Sequence, residues 1–200
     1  MPDASLFHEH RVVVDHDGRA ELFPGFLGTD AATGLLETLI ESLPWERPEL
    51  VVYGRRVLEP RESLWFAPTG MSYGYSGTVR TAHPFTPELQ DLCGCLEDTT
   101  GSKYNSALVN LYRDGNDHLG WHADNEECNG PEPTIASVSL GAERRFDLRH
   151  NDTGETASVL LPHGSLLVMS GRLQRHWQHR VPASRRIGSP RVNITFRLVS

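Results

Sequence analysis

Apolar residues recur at helical spacing in two places along the chain and at alternating spacing through most of the rest. Leu35, Leu36, Leu39, Ile40 and Leu43 fall on one side of a helix that begins near Asp30 and is stopped by Pro44. A second helix opens with Thr86 as N-cap and Pro87 in its first turn, and its apolar stripe is Leu89, Leu92, Cys93 and Leu96. Between the helices, residues 50–79 read as β-rich and aromatic, with a hairpin around Tyr53-Gly54. After Gly101 the pattern predicts strand upon strand, over 105–112, 134–140, 145–150, 156–161, 165–170 and 191–199. Turn residues separate them, among them Asp114-Gly115, Asn129-Gly130-Pro131 and His163-Gly164. Two helices followed by many short strands predict a mainly β fold with flanking helices, built as a double-sheet barrel or jelly roll. No repeat and no Pro/Gly/Ser linker divides the chain, so residues 1–200 are expected to form a single domain, with about the first ten loose.

Composition narrows the class. No run approaches the ~18 consecutive apolar residues of a membrane span, and the polar start MPDASLFHEH is not a signal peptide, so a cytoplasmic monomer away from membranes is expected. Three cysteines (Cys93, Cys95, Cys128) do not make a secreted disulfide framework. The net charge of −7 argues at first against a nucleic-acid partner. Its distribution changes that. From Arg172 to the C-terminus there are seven arginines and no acid, whereas residues 1–171 hold twelve cations against all twenty-six anions. An acidic body followed by a basic segment is compatible with one basic face.

Candidate chemistry lies in the second half. In the segment 191–197 the alternation is strict: Arg191, Asn193, Thr195 and Arg197 share one face, and Val192, Ile194 and Phe196 the other. The polar face is either the wet side of an edge strand or an interior grip for an anion, since an arginine fork matches a carboxylate. Asn110 and Tyr112 are likewise two apart. His122 and Asp124, two apart in extended chain, offer two corners of a metal site, and either His176 or His179 could supply a third. Two histidines and one carboxylate on one face, with positions left open, is the arrangement of non-haem Fe(II) oxygenases.

The segments NLYRDGNDHLGWHADNE, IASVSLGAERRFDLRH, HGSLLVMSG, HWQHRVP and RVNITFR, with Pro60-Arg61 and Tyr73-Gly74-Tyr75-Ser76-Gly77 upstream, together resemble the AlkB family of Fe(II)/2-oxoglutarate-dependent dioxygenases, and its DNA-repair branch in particular. The resemblance implies a double-stranded β-helix (jelly-roll) core over 101–200, a substrate-recognition region over 50–85, and Fe(II), 2-oxoglutarate and dioxygen as reactants. It implies His122, Asp124 and His179 as metal ligands and Arg191 as partner of the far carboxylate of 2-oxoglutarate, with Asn110, Tyr112, Asn193 and Arg197 completing that site. Tyr75 and His122 would sandwich a flipped base, with Tyr73, Ser76 and Glu126 near it. Tyr53 would wedge into the vacated stack, while Arg55, Arg56 and Arg61 would hold phosphates. Glu59 and Glu62 interrupt that basic stretch, which argues against strong duplex binding. The activity implied is oxidative demethylation of N1-methyladenine and N3-methylcytosine in alkylated DNA, single- or double-stranded, or in RNA, with release of formaldehyde, succinate and carbon dioxide. An RNA or protein demethylase is the alternative within the family, and a non-catalytic nucleic-acid-binding module the alternative outside it.

Overall fold

The computed structural model describes residues 10–52, 55–68, 71–75 and 78–200; the side chains of 50–52, 55, 72–75 and 78–81 are not described. Fifteen strands and three short-to-medium helices are seen among these residues. In chain order they are β1 (Arg11–Val14), β2 (Arg19–Phe23), α1 (Thr29–Ser42), β3 (Glu49–Val52), β4 (Arg55–Leu58), β5 (Glu62–Phe66), β6 (Ser72–Tyr75), β7 (Thr78–Thr81) and α2 (Pro87–Thr100). The second half continues with β8 (Ser106–Tyr112), β9 (Leu119–His122), β10 (Ile135–Gly141), β11 (Arg144–His150), β12 (Thr156–Leu161), β13 (Ser165–Ser170), α3 (Leu173–His176), β14 (Trp177–Val181) and β15 (Arg191–Arg197). A major sheet runs β1-β2-β13-β10-β15-β8-β5, a minor sheet runs β12-β11-β14-β9, and β3-β4 and β6-β7 form two hairpins. Every strand pairing is antiparallel, as the jelly roll requires.

Both expected helices are present. Pro44 follows the end of α1, and Leu39 and Leu43 are buried. In α2 the Thr86 hydroxyl accepts from the Leu89 amide at 3.4 Å, and Leu89, Leu92, Cys93 and Leu96 are buried. Gly101 closes that helix at φ +68°, a conformation in which glycine carries no Cβ penalty. The strand boundaries expected for β8, β10, β11, β12, β13 and β15 hold within two residues. The hairpin expected around 53–54 shows its two strands, paired as far as Val52 with Arg55, while residues 53 and 54 lie outside the described residues, as do 1–9.

Two apolar layers result. One lies between the helices and the outer face of the major sheet, where Val192, Ile194 and Phe196 meet Leu39, Leu89 and Leu96. The other lies between the sheets, around Tyr112, Ile135, Phe146, Leu148, Met169 and Trp177. All seven residues of β15 are buried, so its polar face looks into the space between the sheets. The wet edge-strand reading of 191–197 is thereby excluded: β15 sits between β10 and β8, in the middle of the major sheet.

Candidate active site

The interior between the sheets closes around a cavity whose polar wall is built from alternate residues of β8, β10 and β15, and whose opposite wall comes from β9 and β14. Asn110, Tyr112, Ser137, Arg191, Asn193, Thr195 and Arg197 stand on the first side, and His122, Asp124 and His179 on the other. His122 and His179 face each other in register on β9 and β14, with ring centroids 4.2 Å apart. Asp124 sits two residues beyond His122, with His122 Nε2 3.9 Å from its Oδ1 and His179 Nε2 3.8 Å from its Oδ2. One ligand atom from each of the three lies within 4.8 Å of the other two.

Each donor is prepared for a cation. His122 Nδ1 is 2.9 Å from the Gly120 carbonyl, which can only accept, so Nδ1 carries a proton and Nε2 is the nitrogen left facing Asp124. Burial is the main cause that pushes the His179 imidazole down to about 3, aided by the charges of His122 and Arg197 against the opposing pull of Asp124, so it is neutral at pH 7. Burial alone would raise the Asp124 carboxyl, but the charges of Arg197, His179 and His122 and the Arg197 hydrogen bond hold it well below the carboxylate range. Arg197 Nη2 donates to Asp124 Oδ1 at 2.8 Å. The backbone of Asp124 is pinned on both sides, its amide donating to Gln174 Oε1 at 2.9 Å and its carbonyl accepting from Asn129 Nδ2 at 3.3 Å.

Across the cavity, Arg191 is 1% exposed. Its Nη2 donates to Ser139 Oγ at 2.9 Å, its guanidinium lies 5.1 Å from the Tyr112 ring centre, and Nε and Nη1 have no partner among the described residues. Burial pushes its ionisation down to about 10. A sealed cation with two idle donors and, among the described residues, no carboxylate paired with it has the chemistry to receive an anion. Asn193 uses its amide internally, donating to Ser137 Oγ and the Val138 carbonyl and accepting from Thr195.

The structure revises the expectation for Arg61, and with it the reading of Glu59, and it separates the two candidate histidines. Arg61, expected to hold a surface phosphate, is 2% exposed, donates through Nε to Asn110 Oδ1 at 2.8 Å, and lies 3.3 Å from a fully buried Glu59. Pairing of β5 with β8 draws this stretch inward, so Glu59 does not oppose a phosphate backbone, and Arg61 becomes part of the cavity wall. His176 does not converge with His122 and Asp124. It joins a separate group with Asp17 and His150. That group has metal-ligand residue types, but His150 Nδ1 accepts from the Asp152 and Thr153 amides, which leaves its proton on Nε2, directed at Asp17 3.3 Å away. His150 and Asp17 thus spend their facing atoms on each other, while His176 Nε2 is buried with no hydrogen-bond partner among the described residues. Glu126 is partly exposed and tied to Asn129 Nδ2 at 2.8 Å. Tyr73 and Tyr75 are two apart on β6; their side chains, and Tyr53 and Ser76 altogether, lie outside what is described.

Residues that sequence reasoning passed over are Ser137, Ser139, Arg144 and Gln174. The two serines carried a signal, being two apart in an apolar strand. Arg144 bridges the carbonyls of Asp114, Asp117 and Pro182, long-range contacts that leave no local mark in the chain.

Comparison with known proteins agrees with this geometry. A model of the 2OG-Fe(II) oxygenase superfamily matches residues 19–197. The chain is similar to the human alpha-ketoglutarate-dependent dioxygenase alkB homolog 3, with 37% identity over 90% of this chain and 66% of the relative. It is also similar to the DNA oxidative demethylase ALKBH2 of Arabidopsis thaliana (36% identity, 87% of this chain, 64% of the relative) and of mouse (37%, 82% and 72%). The chain thus spans just under two thirds of the length of the first two. Among solved structures OsALKBH1 shares the fold, with a TM-score of 0.57 at 19% identity over 94% of this chain and 99% of that one.

Proposed function

The chain belongs to the AlkB family within the 2OG-Fe(II) oxygenase superfamily, and from that premise we propose that it oxidatively demethylates N-alkylated bases such as N3-methylcytosine and N1-methyladenine in DNA. One observation carries the reading: a His-Asp-His donor set and a buried arginine with idle donors face each other across one cavity. That is what a cation and a dianionic cosubstrate need when they are to be held side by side. His122, Asp124 and His179 would hold Fe(II), and Arg191 would take the distal carboxylate of 2-oxoglutarate. When bound, iron and 2-oxoglutarate supply the activation of dioxygen that oxidises an N-methyl group, whose hydroxymethyl product departs as formaldehyde.

The chain's own residues do the rest. Asp124 is ionised and the His179 imidazole neutral before the metal arrives, so neither needs to lose a proton. Arg197 holds the Asp124 carboxylate in place, and Gln174 and Asn129 hold its backbone. Arg61 orients the Asn110 amide at the cavity wall. A methylated base inside a duplex cannot reach this interior, so the base enters unstacked, and Tyr75 with His122 is proposed to sandwich it. A module that only binds nucleic acid has no use for a sealed Arg191.

The test is formaldehyde and succinate release from an N3-methylcytosine oligonucleotide by the protein loaded with Fe(II) and 2-oxoglutarate. Turnover is expected, and Asp124→Ala is expected to abolish it together with metal binding. Metal-loaded protein that leaves methylated DNA untouched overturns the reading, and activity confined to methylated RNA moves the substrate to RNA.

A further inference from the structure

The outer face of the minor sheet carries cations that the chemistry between the sheets does not use. Side chains alternate along a strand, so the neighbours of the two histidines, Trp121 on β9 and Arg180 on β14, emerge on the side away from the cavity. β11 adds Arg145, Asp147 and Arg149 to that side, with Asp147 opposite Arg180 and Arg149 opposite Gln178. Asp147 is buried beneath this group. It accepts from Arg145 Nε and Arg180 Nε at 2.9 Å each and from Ser158 Oγ at 2.8 Å. Burial alone would raise its carboxyl, but the hydrogen bonds from Ser158 and Arg180 and the charges of Arg145 and Arg180 hold it below its ordinary value. Arg149 Nη2 donates to Gln178 at 3.1 Å, and the guanidiniums of Arg149 and Arg180 each stand 4.5 Å from the Trp121 ring centre.

The result is three guanidiniums held in fixed positions, Arg149 and Arg180 at the Trp121 ring and Arg145 on the shared acid Asp147. Asp147 engages Arg145 through Nε and Nη2 (3.1 Å) and Arg180 through Nε alone, which leaves Nη1 of Arg145, both Nη atoms of Arg180 and Nη1 of Arg149 for a further anion. Alternate residues of a strand are about 6.8 Å apart and neighbouring strands about 4.8 Å, a spread that covers two or three phosphates of an extended strand. β9 is both the edge of the minor sheet and the carrier of His122, so a chain leaving the cavity mouth over β9 arrives directly on this face.

We propose that Arg145, Arg149 and Arg180, arranged around Trp121, form a second contact that grips the phosphodiester backbone of a single nucleic-acid strand a few nucleotides from the methylated base. The proposal rests on the nucleic-acid substrate inferred above. Arginine forks match phosphate oxygens bidentately, and the preorganised group pays little ordering entropy on contact. In a protein of net charge −7, a cluster of this sign beside the site steers a polyanion to that place rather than to the surface at large.

The test uses the double substitution Arg145→Gln/Arg149→Gln, with Arg149→Lys as the charge-preserving control and thermal unfolding to confirm the fold. Turnover is measured on a methylated trinucleotide and on a methylated strand of ~20 nucleotides. The double variant is expected to match the unsubstituted protein on the trinucleotide, and to show a KM about tenfold higher on the long strand at ~150 mM salt. In fluorescence anisotropy with an unmethylated long strand, its log–log salt slope should be shallower by about 1.4, from ~0.7 per lost phosphate contact. Arg149→Lys should keep most of the slope. Equal KM and equal slope overturn the proposal, as does displacement of the strand by polyglutamate at the same charge concentration. Because anisotropy requires no turnover, a protein that binds through these arginines but removes no methyl group would refute the demethylase reading and leave this face standing. Failure of the unsubstituted protein to bind the long strand would refute the face itself.

Discussion

A guanidinium sealed in an interior without a carboxylate is destabilising unless something else brings the negative charge. Arg191 is in that position: burial pushes its ionisation down to about 10, a penalty on the charged form of roughly 3 kcal/mol. Replacing it with methionine removes that penalty and strands the Ser139 hydroxyl, a partial offset of about 1 kcal/mol. Arg191→Met is therefore expected to unfold several degrees higher than the unsubstituted protein when neither carries 2-oxoglutarate, at about 2–4 °C per kcal/mol for a chain of this size. The same variant should show no further rise on adding 2-oxoglutarate, whereas the unsubstituted protein should. Thermal scans with and without the cosubstrate check both; an unchanged or lower melting point in its absence would mean that the cation is already compensated. The alternation of 191–197 made this arginine legible, because period two is a property of the strand itself. Glu59 and Arg61 obey the same period and were misread as a surface. Their burial depends on β5 lying beside β8, across 49 residues of chain between Arg61 and Asn110.

Elements far apart in sequence meet at the end of the cavity beside Arg191. The turn after β8 packs onto the segment between β14 and β15, with the Gly115 amide donating to the Ile187 carbonyl at 2.8 Å and the Ser184 amide to the Gly115 carbonyl at 2.7 Å. A Cβ on Gly115 would stand 1.8 Å from the Ser184 carbonyl oxygen, so the backbone has to move. Gly115→Ala is expected to cost about 2–4 kcal/mol, within the range of overpacked sites. By displacing the start of β15, it should also weaken 2-oxoglutarate binding more than metal binding. Calorimetric titration of each ligand separates the two effects, and equal losses would place the damage in the whole fold. At this scale helices and central strands could be read, since Thr86, Pro87 and Pro44 act on their own neighbours. β1, β2, β9 and β14 could not. β2 exists as a strand against β13 and β9 against β14, so their pairing partners decide them rather than their own residues.

Charge summed over the whole molecule says little about its partner, because burial redistributes it. Of the seven arginines after residue 171, Arg191 and Arg197 are internal, Arg180 is held by Asp147 and Arg172 lies 3.5 Å from Asp17, which leaves Arg175, Arg185 and Arg186 as exposed cations without an ion pair among the described residues. In the recognition region Arg61 is internal and Arg56 pairs with Glu49 at 3.3 Å. Among the described side chains, few cations are therefore free to hold the second strand of a duplex while a base is extruded. Extrusion costs a few kcal/mol that a single strand does not impose, and about 1.4 kcal/mol corresponds to a factor of ten in rate. N3-methylcytosine in a single strand is accordingly expected to be repaired with a kcat/KM at least tenfold higher than in the matched duplex. The duplex rate should also fall more steeply as salt rises, because what holds it is electrostatic. Parallel assays of the two substrates across a salt series measure both quantities. Equal rates at every salt concentration would overturn the expected preference for a single strand.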